Sequence, residues 1–452
     1  MMNDLLRELE SMKITGNTLN DDLWRSCVQL TEGTLVPCKK IGNERPCEEK
    51  DYSEYRQIVN RNLRIVEATL RHVATTFGEQ NVRETASRSH PLRTYLINLI
   101  IIIGEQSEKN VWNTAESVSI VSSIQSNLCD LCKCRSMSEL LVGKGGEGSS
   151  VDGSGVIEAV LLVLRPKLFK DTWKNYPAAV ICYKWILWQV EEPNLVRHMN
   201  SIIPTALIIL DDYVVENRLT GIKCIGKILQ HAQMRKELVD TGYAEVIYDA
   251  LKRLLIIREV AYIIPLYSCI RSLLSTLEYY NNTDSLQQKT CPLQWTIRDD
   301  VILSLLSSME FEQDAHLRHA YMSSLPGLLT NIGCAKWCER LTRILSEYCE
   351  HHTDLKTLKV TMEAAKTFLV IFQPRIPTHC VPLYAAFLKL HMDLIETPVF
   401  DKEIVQNLED CIGLLYKSTP SIGKKIINDD RMKSVINQQL QFRILNDCTY
   451  FE

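Results

Sequence analysis

Residues 203–229 read IPTALIILDDYVVENRLTGIKCIGKIL. Apolar residues fill the stretch, two adjacent aspartates break it in the middle, and Gly221 and Gly226 fall in its second half. With the upstream flank included, Leu195, Met199, Ile202, Ala206 and Ile209 recur at steps of four, three, four and three. That is one apolar stripe on a helix. Pro193 suits the first turn of this helix. Pro204 is expected to kink it, because proline withdraws a backbone donor and crowds the preceding turn. Asp211 and Asp212 then make a turn, and their side chains are expected to cap the next helix. In that helix Val215, Leu219, Ile222, Gly226 and Leu229 repeat the same steps. The unit is therefore helix, tight turn, antiparallel helix. A hairpin with one apolar face per helix needs stacked neighbours to bury both faces. Each helical glycine costs about 1 kcal/mol, and close approach of a neighbouring backbone is the expected compensation.

Bulk properties agree with a soluble folded chain. Of 452 residues, 46% are hydrophobic and 23% charged, enough apolar content for a real core. The net charge of −4 and the lack of a basic run give no footprint for nucleic acid or anionic lipid. The opening MMNDLLRELE is acidic and has no apolar h-region, so no secretory signal is expected. The greasiest run, Tyr95 to Gly104, is about half the length needed to span a bilayer and is expected to be a buried helix. Sixteen cysteines without a secretory signal imply reduced thiols in cytoplasm or nucleus, mostly as small buried side chains.

The organisation follows from the same periodicity. Residues 1–50 read as an irregular segment. Residues 51–142 read as an N-terminal helical region, with Ile58, Leu63, Val66, Leu70 and Val73 at helical spacing and further helices near 91–103 and 117–132. Residues 143–155, GKGGEGSSVDGSG, hold six of the eighteen glycines and read as a flexible loop. Residues 156–452 read as helical repeats, with Gly242 at one helix–helix break and Glu312 six positions before Arg318. No series of alternating strands is apparent. The expected fold class is all-α, an α-solenoid of degenerate HEAT/armadillo-type hairpins. The spacing of Pro204, Asp212 and Arg218 resembles the HEAT pattern, which implies that the aspartate and arginine ladder between neighbouring repeats.

Chemistry-bearing motifs are sparse. Cys129, Cys132 and Cys134 include one C-x-x-C, but a structural zinc site needs four ligands and no second pair follows at suitable spacing. Cys334, Cys338, His351 and His352 imitate a site, yet adjacent histidines point to different sides of a helix. GKGGEGSS has the wrong order for a phosphate-binding loop, and no strand precedes it. No catalytic residue, metal or cofactor is expected. Trp173, Trp185 and Trp188 read first as helix-packing anchors, and no partner-binding residue is singled out.

The run from Trp173 to Leu255 resembles the core of the Tel-two-interacting protein two family. The resemblance rests on Trp173, Asn175, Pro177, Trp185, Pro193, Pro204, the Asp211–Asp212 pair, Glu216 through Gly221 and Ala244 through Leu251. It fades into general helical-repeat similarity towards residue 418. It implies a non-catalytic scaffold subunit of the Triple-T (TTT) co-chaperone complex, found in cytoplasm and nucleus. The implied partners are Tel-two-interacting protein one, most directly, and Tel-two. Through them the chain would meet the ninety-kilodalton heat-shock chaperone and the phosphatidylinositol-3-kinase-related kinases. The other reading is a generic HEAT/armadillo adaptor in nuclear transport or vesicle tethering.

Overall fold

The computed structural model describes residues 21–39, 45–77, 89–143, 155–190, 194–284, 295–330, 332, 334–396, 401–429 and 436. All regular structure among them is helical. The chain forms two compact units, Met1–Glu237 and Leu238–Glu452. The division does not fall at the glycine run, whose residues 144–154 lie outside the described ones. The helices either side of it, α5 (Met137–Val142) and α6 (Ile157–Leu164), both pack on α7 (Pro177–Gln189) within the first unit.

The first unit begins with a correction. Residues 1–50 were expected to be irregular, but Asp21–Glu32 is a helix, α1. Its apolar stripe is only Leu23, Trp24 and Cys27, all buried, and so short a stripe does not stand out from loop in sequence. Helix α1 packs on α3 (His90–Glu105), and α3 packs on α7. In the other layer α2 (Ser53–Phe77) packs on α4 (Ala115–Leu131). Flanked on both sides, α3 has no polar face: every residue from Tyr95 to Glu105 is buried. That accounts for the greasy run. Its polar members are bonded, with Asn98 Nδ2 donating to Thr31 Oγ1 at 3.1 Å. The backbone N–H of Val36 donates to Glu105 Oε2 at 2.9 Å, fastening the segment after α1.

The deciding hairpin is α8 (Met199–Leu210) and α9 (Val215–Gln230), which pack closely. Met199, Ile202, Ala206 and Ile209 are all buried, as the stripe requires; Leu195 is buried too but precedes the one-turn 3-10 helix Val196–His198, so α8 starts later than the stripe implied. Pro204 lies inside α8, which continues through it. The ring is on the exposed side, where water can take up the carbonyl it leaves unpaired. The capping expectation fails: the residue before α9 is Val214, and no side chain caps the helix. Gly221 has the expected reason. A Cβ there would lie 2.6 Å from both the Cα and the N of Leu210, so the two backbones touch where the glycine stands.

The second unit is the more regular. Its helices are α11 (Tyr243–Lys252), α12 (Val260–Asp284), α13 (Ile297–Glu310), α14 (Ala315–Ser324), α15 (Cys334–Cys349), α16 (Leu355–Ile371), α17 (Ile376–Glu396), α18 (Lys402–Ser418) and α19 (Pro420–Ile427). The short α10 (Ala232–Asp240) crosses the division between units. Helices α13, α15 and α17 stack in one layer and α12, α14, α16 and α18 in the other, with each odd helix paired to the even one after it. This two-layer stack of hairpins is the α-solenoid architecture. Gly242, just before α11, has φ +75°, a conformation glycine adopts without steric cost. Thr296, Asp314, Asp354 and Asp401 cap their helices through side-chain acceptors. Within α12, Val260–Tyr279 is long and apolar enough to cross a membrane. Yet 56% of that window is buried, against α11 and α14 among others, so the solenoid core accounts for its composition.

Two measurements check this packing. Replacing Gly221 by Val drives a branched side chain into the α8 backbone, and overpacking of this kind costs about 1–3 kcal/mol. The variant is expected to lose that much in urea unfolding. The second concerns Glu105, whose carboxyl is pushed from 4.5 up to about 7, mainly by burial, against the pull of the Val36 N–H and Lys167. The folded state thus holds a proton that the unfolded state has lost between pH 4.5 and 7. Stability from this group is full below pH 4.5 and disappears as pH rises through about 7, a loss of ~3 kcal/mol. Glu105→Gln is expected to flatten that slope in melts from pH 4.5 to 8 and to be the more stable form at pH 8.

Candidate functional site

The turn between α8 and α9 splits its two aspartates. Asp211 ends α8 and is exposed, whereas the Asp212 side chain is 1% exposed. Both Asp212 oxygens are used. Oδ1 accepts the Tyr213 N–H at 2.9 Å and pairs with Lys174 Nζ at 2.8 Å; Oδ2 accepts from Asn217 Nδ2 at 2.7 Å. Lys174 belongs to the one-turn 3-10 helix Trp173–Asn175 that leads into α7. Its ammonium also lies 4.4 Å from the centre of the Tyr213 ring and 5.8 Å from that of Trp173. Arg218, six positions further on, is not among the groups that bind Asp212. Arg218 stands one turn inside α9, while the carboxylate faces back towards the entry of the preceding hairpin.

The second unit repeats the device. Glu312 sits in the turn between α13 and α14 with its side chain 1% exposed. It takes two bonds from Arg258 Nη2, at 2.7 and 2.8 Å, and one from the Asp314 N–H at 2.9 Å. Arg258 lies just ahead of α12. Arg318, six positions after Glu312, is again elsewhere: it lies over the Tyr348 ring at 5.1 Å. The acid–arginine spacing therefore marks the turns, while the cations that bind the acids come from the preceding hairpin. The two cations share a mark that sequence reading could have used, a basic residue just before a helix start, one hairpin upstream of a buried turn acid.

Beside the Lys174–Asp212 pair the first unit opens into a cleft of about 320 Å³. Trp112, Trp173, Val180 and Val214 supply apolar wall, and Glu216 and Asn217 line it from α9. Trp112 is held in place by donating its indole N–H to the Glu105 carbonyl at 2.9 Å. The arrangement sets fixed aromatic edges beside a bonded polar floor.

The other sequence candidates do not gather into a site. Among the described residues no group of three or more His, Cys, Asp or Glu side chains is placed to hold a metal ion. Cys132 and Cys134 are buried. Cys129 has its thiol pushed up to about 11 by burial first and by Cys134, Asp130 and Glu139, the reverse of what a reactive thiolate needs. The Cys334 side chain and the Pro193 residue lie outside the described ones. Cys338 is buried in α15, and His352 faces Asp393 at 4.0 Å. Trp173 and Trp185 are buried anchors, while Trp188 is 43% exposed.

Stacked antiparallel helical hairpins define a helical-repeat protein of the α-solenoid class. Within that class residues 164–350 match the model of the Tti2 family. The chain is 28% identical over 329 residues to TELO2-interacting protein 2 of Homo sapiens, across 70% of this chain and 62% of that one. It is 30% identical over 318 residues to the protein of that name in Mus musculus, across 68% and 60%. The chain thus spans about three-fifths of the length of the curated relatives it matches. Among solved structures, a Kap121p mutant overlays with a TM-score of 0.46 at 13% identity, covering 96% of this chain and 38% of that one. An overlap at that level carries no argument about function.

The Lys174–Asp212 pair generates a stability prediction. Asp212→Arg places a second cation beside Lys174 and strips Asn217 and the Tyr213 N–H of their acceptor. A loss of roughly 2 kcal/mol or more is expected in chemical unfolding, against about 0.5 kcal/mol for an ordinary surface change. Asp211→Arg, at the exposed neighbour, is expected to stay within that surface range.

Proposed function

We propose that this chain is a non-catalytic scaffold subunit of the TTT co-chaperone complex. In this role it supports the maturation and stability of phosphatidylinositol-3-kinase-related kinases, in cytoplasm and nucleus. One observation carries the reading: the deciding hairpin lies in the region that matches the Tti2 family, and the relatives that match are named for interaction with TELO2. The physical design supports it. A stack of hairpins presents long, rigid, exposed helix faces and turn edges, which suit binding other chains. Tel-two-interacting protein one is the direct partner in this reading, with Tel-two next. The heat-shock chaperone and the kinases are reached through them. An obligate scaffold of this kind buries on the order of 2,000 Å² or more with its partner, and it gains stability from that binding by mass action.

Affinity purification of the tagged full chain from cells is expected to recover the other two subunits in stoichiometric amounts. Depletion is expected to lower the kinase proteins without lowering their messenger RNAs. Recovery of a set of transport cargoes instead, or normal kinase levels after depletion, contradicts the assignment and favours a generic solenoid adaptor.

A further inference from the structure

The cleft of the first unit has one ionised group left over. Arg45 gives two nitrogens to the two oxygens of Asp51, at 2.8 and 2.7 Å. Glu108 receives Lys184 on both oxygens at 3.0 Å. Lys174 is engaged by Asp212 at 2.8 Å. Glu216, in the first turn of α9, lines the same cleft and is exposed. Its carboxylate has no hydrogen-bond or ion-pair partner among the described residues. Both lining cations are thus neutralised at home, and the free charge that faces the cleft is negative.

We propose that this cleft docks a segment of a partner protein that inserts an arginine or lysine side chain between the tryptophan walls, with its charge meeting Glu216. Three features of the cleft select that occupant. The volume of about 320 Å³ is at the small end of ligand pockets and suits one long side chain with its immediate neighbours. The aliphatic stem of arginine or lysine packs on apolar walls while its head stays polar. The Trp112 and Trp173 side chains are fixed by burial and give the cleft apolar edges that need no rearrangement to receive such a stem. An acidic anchor would find no free cation and would face Glu216. The inference rests on the assembly-subunit reading only in naming a protein as the natural occupant. Its test uses no other subunit, so the two can fail separately.

The test labels the full chain with 5-fluorotryptophan, with the resonances of Trp112 and Trp173 assigned by Trp→Phe variants. Three capped tripeptides are titrated: valine–arginine–valine, valine–glutamate–valine and valine–norleucine–valine. The arginine peptide is expected to shift Trp112 and Trp173 and leave Trp295 and Trp337 unmoved. Binding is expected to weaken tenfold or more in Glu216→Gln and to vanish in Glu216→Arg, both with parental melting curves because Glu216 is on the surface. Several results overturn the proposal: equal or tighter binding of the glutamate or norleucine peptide, unchanged affinity in Glu216→Gln, shifts confined to other tryptophans, or no shift at all.

Discussion

In each unit one hairpin is tied to the hairpin before it by a buried acid in its turn that reaches back to a cation upstream. Asp212 holds Lys174 in the first unit and Glu312 holds Arg258 in the second. Apolar stripes alone bring helices together, but they are nearly uniform along their length and tolerate sliding. A carboxylate withdrawn from water does not. It must find its donors or bear the cost of desolvation, and that cost is large enough to select one register. In both turns a backbone N–H completes the set, so the acid fixes the path of its own turn as well as its distance from the preceding helix.

This constraint has a functional corollary. Because Asp212 draws Lys174 and the Trp173 turn inwards, the entry to α7 and the α8–α9 turn converge, and the cleft forms between them. Its floor is satisfied and its aromatic walls are packed, so little ordering remains to be done on binding, the condition under which a small surface contributes useful affinity. The pairing that sets hairpin register therefore also shapes the surface offered to other chains.

Much of the architecture was legible in sequence. The steps of four and three around Pro204 and Asp212 located α8 and α9, and the run Tyr95–Gly104 announced a helix buried on all sides. Gly221 was correctly read as a point of close backbone approach, because a glycine in a helix interior needs a reason. Two readings failed for identifiable causes. Helix α1 has only a short apolar stripe, which periodicity does not separate from loop. Asp212 does not cap α9, since Val214 intervenes and the carboxylate is committed to Lys174. The partners of Asp212 and Glu312 were not legible, because spacing within one hairpin cannot reveal a cation 38 or 54 residues upstream. The cleft was invisible for the same reason: its walls come from segments far apart in the chain.

The central claim is that the turn acid and the upstream cation act on each other across hairpins. A double-mutant cycle on Lys174→Met and Asp212→Asn, read by urea unfolding of the full chain, tests it most directly. Residues in contact within one network show coupling of roughly 0.5–3 kcal/mol. The account predicts a favourable coupling of at least about 1 kcal/mol for this pair, because the carboxylate is buried. Additivity of the two substitutions within about 0.3 kcal/mol would contradict it, and would leave the register of the hairpins to apolar packing alone.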